Sequence, residues 1–133
     1  MGGTLVPQMV LRMLHCWMEN REMGSIDQYR EIVRRLILDY AQYKPSHGDI
    51  ATEAIIDPEH NHFELMHVGW DGPRRVHGAV IHIDIIADKI WIQHDGTSPG
   101  IADELVEAGI PRDAIVLGFR PQRVRQYSGF ASA

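Results

Sequence analysis

The strongest constraint on the fold is a run of isoleucines that alternate with other residues on both sides of the dipeptide Ala87-Asp88. Because successive side chains of a β-strand point to opposite faces, this pattern predicts an antiparallel hairpin with one apolar face. A two-residue loop at Ala87-Asp88 sets the register. The expected pairs are Ile86 with Lys89, Ile85 with Ile90, Asp84 with Trp91, and His82 with Gln93. The apolar face comprises Ile81, Ile83, Ile85, Ile90 and Ile92, with His94 at its end.

The opposite face of the hairpin is predicted to be polar apart from one aromatic residue. It carries His82, Asp84, Trp91, Gln93 and Asp95. In this register His82 and His94 point to opposite sides of the sheet, so the polar residues of the hairpin do not converge on one site. A metal centre or an acid/base pair built on His82, Asp84 and Asp95 is an alternative to a hydrogen-bonded His/Asp pair with a structural or interface role.

No other part of the sequence carries a clear catalytic motif. His60 and His62 flank a predicted turn, with Glu59 and Glu64 as the nearest carboxylates, and a surface turn explains them more simply than a metal site. There is no glycine-rich phosphate-binding loop, and no serine, threonine or cysteine lies in a nucleophile motif. The sequence therefore predicts no catalytic residue, no metal ligand and no cofactor.

The residues around the hairpin predict an α+β domain. Apolar residues recur at helical spacing over residues 25–43, which indicates an N-terminal amphipathic helix. A short C-terminal helix is expected between Ser98-Pro99 as its N-terminal cap and Gly109 as its C-terminal cap, with a further turn at residues 111–113. Four strand-like runs joined by short turns favour consecutive antiparallel pairing, with both helices on one face of a four-stranded or slightly larger meander. These runs are residues 50–57, 62–70, 75–86 and 90–95.

Composition limits the classes of protein to consider. The 133 residues are enough for one domain, and no run of about 18 apolar residues indicates a membrane span. The single cysteine, Cys16, allows no internal disulfide, which fits a reducing cytoplasm. The net charge of −5 argues against direct DNA binding, because a phosphate backbone would repel the chain on average. Arg120, Arg123 and Arg125 form a basic cluster that a solvated C-terminal segment explains at least as well as a nucleic-acid site.

The first 22 residues differ from the rest of the chain. They have a loosely amphipathic pattern without the basic start and small-residue cleavage site of a signal peptide. Either they form a helix, or the natural start is Met18 or Met23 and they lie upstream of it. A single domain is expected over residues 23–133.

The second face of the predicted sheet is too apolar to be left wholly in water, because Trp91 lies on it. A second copy of the chain or a dedicated partner protein would cover it. The predicted contact patch joins this face to the neighbouring turn. It comprises Trp91, His82, Asp84, Gln93, Trp70, Arg74 and Arg75.

From residue 26 to about residue 131 the chain resembles the XisI-like family, the fdxN element excision controlling factors. The family usually has Asp-Gly where this chain has Ala87-Asp88, and an acidic residue where it has Ser98-Pro99. The stretches that carry the resemblance are IDQYREIV, YKPSHGDI, HFELMHVGWDGPRRVHG, VIHIDIIADKIWIQHDGT, GIADELVEAGIPRDAIVLGF and RQYSGFA.

The resemblance implies a small α+β protein that works with a companion, XisH, to control excision of a DNA element by a separate site-specific recombinase. It implies no catalytic residues. Two other functions remain open from the sequence. One is a small metal-dependent or acid/base hydrolase that uses His82, Asp84 and Asp95, and the other is an antidote-like inhibitor of a nuclease-like partner.

Overall fold

The structure, a computed structural model, describes residues 25–98 and 100–133. The segment 1–22, for which a helix or an upstream origin was considered, lies outside these residues. Within them, no helix combines the length and the hydropathy needed to cross a membrane. The elements in chain order are α1 (Ser25–Tyr40), β1 (Asp49–Asp57), β2 (His62–Asp71), β3 (Arg74–Ile86), β4 (Lys89–Asp95), α2 (Ala102–Glu107), a 3-10 turn (Arg112–Ala114), β5 (Ile115–Leu117) and α3 (Gln122–Arg125).

The predicted α+β meander is confirmed. The strand order is β1-β2-β3-β4-β5, and the first four strands pair antiparallel with their neighbours in sequence. The sheet is slightly larger than four strands, as the prediction allowed, but the residues of the fifth strand were not assigned from the sequence. That strand is the short apolar segment Ile115–Leu117, which lies parallel to β4. Parallel neighbours need a long connection, and here the connection contains α2 and the 3-10 turn.

The core lies between the sheet and the helices. On α1 the buried residues Ile32, Val33, Leu36 and Ile37 recur at helical spacing and form one apolar stripe. This stripe and Leu105 of α2 belong to one continuous cluster with the inner face of the sheet. The five isoleucines of the predicted apolar face are confirmed on the core side, since each is at most 4% exposed, but His94, predicted at the end of that face, lies on the other one. The five isoleucines are Ile81, Ile83, Ile85, Ile90 and Ile92.

The C-terminal helix begins later than predicted. It starts at Ala102, so Ser98 is not its N-terminal cap. The turn before it is instead organised by the Asp95 carboxylate, which accepts hydrogen bonds from the backbone N–H groups of Thr97, at 2.9 Å, and Ile101, at 2.8 Å. The expected glycine after the helix is confirmed, because Gly109 has a φ of +113°.

Two β-bulges change the predicted register. Val80 is an extra residue of β3 opposite β2, and Gln93 is an extra residue of β4 opposite β3. The predicted pairing of His82 with Gln93 is therefore wrong, and His82 faces His94 instead. A bulge shifts the alternation by one residue, so His94 shares the face of His82 while Asp95 lies opposite Ile81 on the core side.

The first three strands extend beyond the fourth. Only residues 81–86 of β3 pair with β4. Residues 49–53, 66–71 and 74–79 form a three-stranded projection, hereafter the arm, which is roughly 20 Å long at the usual rise of a strand. Within the described part of the chain, neither the outer edge of β1 nor the edge of β3 at residues 74–79 pairs with another strand.

Substitution of Ala87 by glycine tests the geometry of the hairpin loop. Ala87 has a φ of +58°, a conformation that costs a residue with a Cβ about 1–2 kcal/mol. Glycine avoids this strain but loses more backbone entropy on folding, so Ala87→Gly is expected to raise the free energy of unfolding by about 0.5–1 kcal/mol. Chemical denaturation measures the change.

Asp88 is the matched control for this substitution. It occupies the second position of the same loop but is not among the residues with positive φ. Asp88→Gly should therefore leave stability unchanged or lower it. An equal gain from both variants would contradict a strained backbone at Ala87.

Candidate functional site

Four polar side chains form a rectangular array on the face of the sheet opposite α1. His62 and Glu64 belong to β2, and His82 and Asp84 belong to β3. His62 pairs with Asp84 across the two strands, and Glu64 pairs with His82. These four residues are called the His–carboxylate cluster below. They point away from the core because Phe63, Leu65 and Ile83, which alternate with them, are buried beneath the sheet.

The cluster is held together by direct contacts. The Nδ1 atom of His62 is 2.8 Å from Oδ1 of Asp84, and its Nε2 atom is 2.7 Å from Oε2 of Glu64. The Nε2 atom of His82 is 3.2 Å from the same Oδ1 of Asp84. The two imidazole rings meet edge to face with their centroids 4.6 Å apart. Both histidines therefore converge on one carboxylate oxygen.

A residue of the fourth strand completes this arrangement. The side-chain amide of Gln93, the bulged residue of β4, donates a hydrogen bond of 3.2 Å to Oδ2 of Asp84. Both oxygens of Asp84 thus have partners, one facing the histidines and the other facing Gln93. The cluster side chains are half-buried, with exposures between 22% for Glu64 and 34% for His62.

The carboxylates favour the charged form of His62. The hydrogen bond to Glu64 raises the pKa of His62 most, Asp84 raises it further, and burial opposes both effects. A protonated imidazole can donate from both ring nitrogens, which matches the two carboxylate contacts on opposite sides of this ring.

The structure separates the three residues of the alternative hydrolase site. His82 and Asp84 are in contact, but Asp95 lies on the core side of the sheet, where it accepts hydrogen bonds from Thr97 and Ile101. The alternative site of His82, Asp84 and Asp95 is therefore not assembled, because the bulge at Gln93 turns Asp95 to the other face.

His62 is the residue that sequence reasoning missed. It is the first residue of β2 and part of the cluster, whereas His60 remains in the turn and contacts Asp57. The alternation of His62 and Glu64 with Phe63 and Leu65 was a usable signal for their common face. Their position opposite Asp84 depends on the register between β2 and β3, which local sequence does not reveal.

The chain itself covers part of the predicted contact patch. Trp91 is half-buried, with the guanidinium of Arg125 5.2 Å from its ring centroid. A Cβ atom at Gly118 would lie 3.1 Å from Cε3 of the Trp91 ring, so the segment after β5 passes close to it. Arg125 of the predicted basic cluster thus packs on an aromatic ring, a favourable cation–π geometry.

The remaining patch residues lie at the far end of the arm. Trp70 is 50% exposed, and the Arg75 guanidinium stacks 5.2 Å from the centroid of its ring. Arg74 instead points to the other face, where it pairs with Asp71 at 3.2 Å. Since Trp70 follows His62 by eight residues on β2, about 26 Å separates them. The predicted patch is therefore not one surface: Trp70 and Arg75 lie far from the hairpin residues, and Arg74 lies on the opposite face.

Chemically, the His–carboxylate cluster can exchange protons or bind a cation. His62, His82 and Asp84 each offer one ligand atom, and these atoms all lie within 4.8 Å of one another. Within the described residues, these three form the only such group of histidine, cysteine and acidic side chains.

Neutralisation of Glu64 tests the electrostatics of the cluster. Because the hydrogen bond from Glu64 is the largest cause of the raised pKa of His62, Glu64→Gln is expected to lower that pKa. NMR titration of the imidazole protons, with a chelator present, measures the shift. Glu59→Gln, in the neighbouring turn, is the control. An unchanged pKa of His62 in the Glu64→Gln protein would show that this contact does not hold the proton.

The same variant should alter stability as a function of pH. A histidine whose pKa is raised by folding contributes stability that is complete below its unfolded value near 6.5, and this contribution is lost as the pH rises through the folded value. The free energy of unfolding of the natural chain should therefore fall more steeply over this window than that of Glu64→Gln.

Known proteins are similar to this chain in both sequence and fold. The profile of the XisI protein family matches residues 23–132. A XisI-like protein from Anabaena variabilis ATCC 29413 is 41% identical with a TM-score of 0.76, and the match covers 81% of this chain and 99% of that one. The fdxN element excision controlling factor XisI from the same organism is 32% identical with a TM-score of 0.73, and that match covers 83% and 100% of the two chains.

A comparison with curated proteins finds no match. The family profile nevertheless spans most of the chain, and the two solved structures reproduce its helix and sheet. The stretches quoted from the sequence, including HFELMHVGW and KIWIQHDG, fall on strands β2 and β4 of this shared fold. This chain therefore belongs to the XisI protein family.

Proposed function

We propose that this chain is an accessory factor without catalytic activity that controls excision of a DNA element by binding a partner protein. The observation that carries the proposal is its family, together with its similarity to a structure named as an excision controlling factor. The resemblance implies a XisH-like protein as the partner and a separate recombinase as the enzyme that cuts the DNA. The net charge of −5 favours a protein over DNA as the direct contact.

The arm is the proposed contact surface. Tryptophan and arginine are enriched at protein interfaces, and Trp70 and Arg75 are stacked on each other at its exposed end. The edges of the arm, which pair with no strand among residues 25–98 and 100–133, also offer backbone hydrogen-bonding groups to another chain.

Trp91, His82, Asp84 and Gln93 have a smaller part in this proposal than the sequence suggested. Arg125 already covers Trp91, and the polar groups of the other three residues bond to one another. An interface gains most from aromatic side chains that lose water only on binding. Trp70 meets that condition better than Trp91 does.

Binding of a XisH-like protein to a Trp70→Ala variant tests the proposal. Trp70 is half exposed and outside the core, so the variant should fold, and loss of an interface tryptophan is expected to weaken binding by roughly 30-fold or more. The two proteins are co-expressed, and the affinity of the purified pair is measured by titration calorimetry.

Tyr127→Ala is the matched control, because Tyr127 is another exposed aromatic residue, at 81%, in the C-terminal segment. It should leave the affinity unchanged. Equal affinity of the Trp70→Ala protein and the natural chain would remove the arm from the interface. Light scattering of the chain alone shows separately whether Trp70 joins two copies, since the variant would then reduce the mass of the assembly.

A further inference from the structure

We propose that His62, His82 and Asp84 bind a divalent transition metal ion, with Zn²⁺ as the best match to their chemistry. The site lies on the outer face of the sheet, about 26 Å along β2 from Trp70. It goes beyond the proposed function, because it requires neither a partner protein nor DNA.

The distances from the two imidazole nitrogens to the carboxylate oxygen suit a tetrahedral ion, and all three ligand atoms lie within 4.8 Å of one another. Ligand atoms that lie about 2.0–2.1 Å from zinc are roughly 3.3 Å from one another. Here Nδ1 of His62 and Nε2 of His82 lie 2.8 and 3.2 Å from Oδ1 of Asp84. The ligand atoms therefore need small movements rather than a rearrangement of the strands.

Neighbouring residues hold these ligands in suitable orientations. Glu64 contacts Nε2 of His62, which leaves Nδ1 facing Asp84. Gln93 donates to Oδ2 of Asp84, which leaves Oδ1 facing the histidines. Metal-binding histidines usually donate their second ring nitrogen to a carboxylate or carbonyl, and such partners increase metal affinity. In the cluster, Glu64 supports His62 in this way and Gln93 supports Asp84.

The ligand types select the class of metal. Two imidazoles and one carboxylate suit Zn²⁺ and similar first-row ions, whereas Ca²⁺ and Mg²⁺ prefer oxygen ligands alone. Three protein ligands leave a fourth position open. The side chains are 24–34% exposed, so water or a group from another molecule can reach that position.

A hydrogen-bonded cluster that binds no metal is the competing explanation. Histidines and acidic residues often pair on half-polar sheet faces, and His62 already has a carboxylate on each side. The two explanations differ in a measurable way, because only a metal site binds Zn²⁺ with defined stoichiometry and shows the visible absorption of tetrahedral Co²⁺.

The test uses the full chain with Cys16→Ser in every protein, so that its single thiol does not contribute. After treatment with a chelator and its removal, ZnCl₂ is titrated by calorimetry, and CoCl₂ is followed by visible absorption. One Zn²⁺ per chain is expected, with micromolar affinity or better. His62→Ala and His82→Ala each remove a ligand, so each should weaken binding by more than the roughly 10–100-fold that loss of a residue supporting a ligand costs, or abolish it.

His60→Ala is the matched control, since His60 lies two residues from His62 but its ring contacts Asp57 in an exposed turn. It should bind Zn²⁺ like the natural chain. Asp84→Asn preserves the shape of the third ligand and weakens binding even if a histidine variant proves unstable.

Three results would overturn the proposal. They are no uptake of Zn²⁺ at micromolar concentrations, uptake that survives all three ligand substitutions, or an equal loss of affinity in His60→Ala. Failure here leaves the proposed function untouched, because the partner assay depends on Trp70. Loss of partner binding in Trp70→Ala with normal Zn²⁺ uptake would show in turn that the two surfaces act independently.

Discussion

Burial of the isoleucine face of β3 and β4 beneath α1 and α2 is the interaction on which the rest of the structure depends. Each of these isoleucines removes a large apolar side chain from water, worth roughly 1.5–3 kcal/mol. A shift of either strand by one residue would turn that whole set to solvent. The packing therefore fixes which residues face outward, and this places His62, Glu64, His82 and Asp84 on one surface.

The two bulges determine which residues of β3 and β4 face the core and which face outward. The bulge at Val80 comes just before the cluster on β3, and the side chains of residues 81–84 alternate regularly between the two faces after it. His82 and Asp84 therefore lie on the same face. At Gln93 the extra residue brings an amide into contact with Asp84 and turns Asp95 towards the loop that leads to α2. The bulge at Gln93 thus places one side chain against the cluster and directs the next, Asp95, to the turn before α2.

The sequence predicted the fold better than the site for a physical reason. Alternation and helical spacing are local signals, and they gave α1, four strands and the buried isoleucines. The bulges carry no such signal, since nothing in Val80 or Gln93 marks an extra residue. His62 and Asp84 are 22 residues apart in the sequence, so their contact also depends on the register between β2 and β3. For the same reason, the cover that Arg125 provides for Trp91 was not foreseen.

The cluster and the arm differ in what holds them in place, and this difference suits them to different tasks. The cluster lies directly over Phe63, Leu65 and Ile83, which are at most 2% exposed, so its side chains project from a closely packed base. Such a base restricts the positions of these side chains, and a metal site requires its ligands to stay within about 0.5 Å of the binding geometry. Within the residues that the structure describes, the arm has two edges that pair with no strand, and it carries an exposed tryptophan, so its backbone and side chains can gain contacts from another chain. Rigid support favours recognition of a small ion, whereas open edges favour recognition of a protein surface.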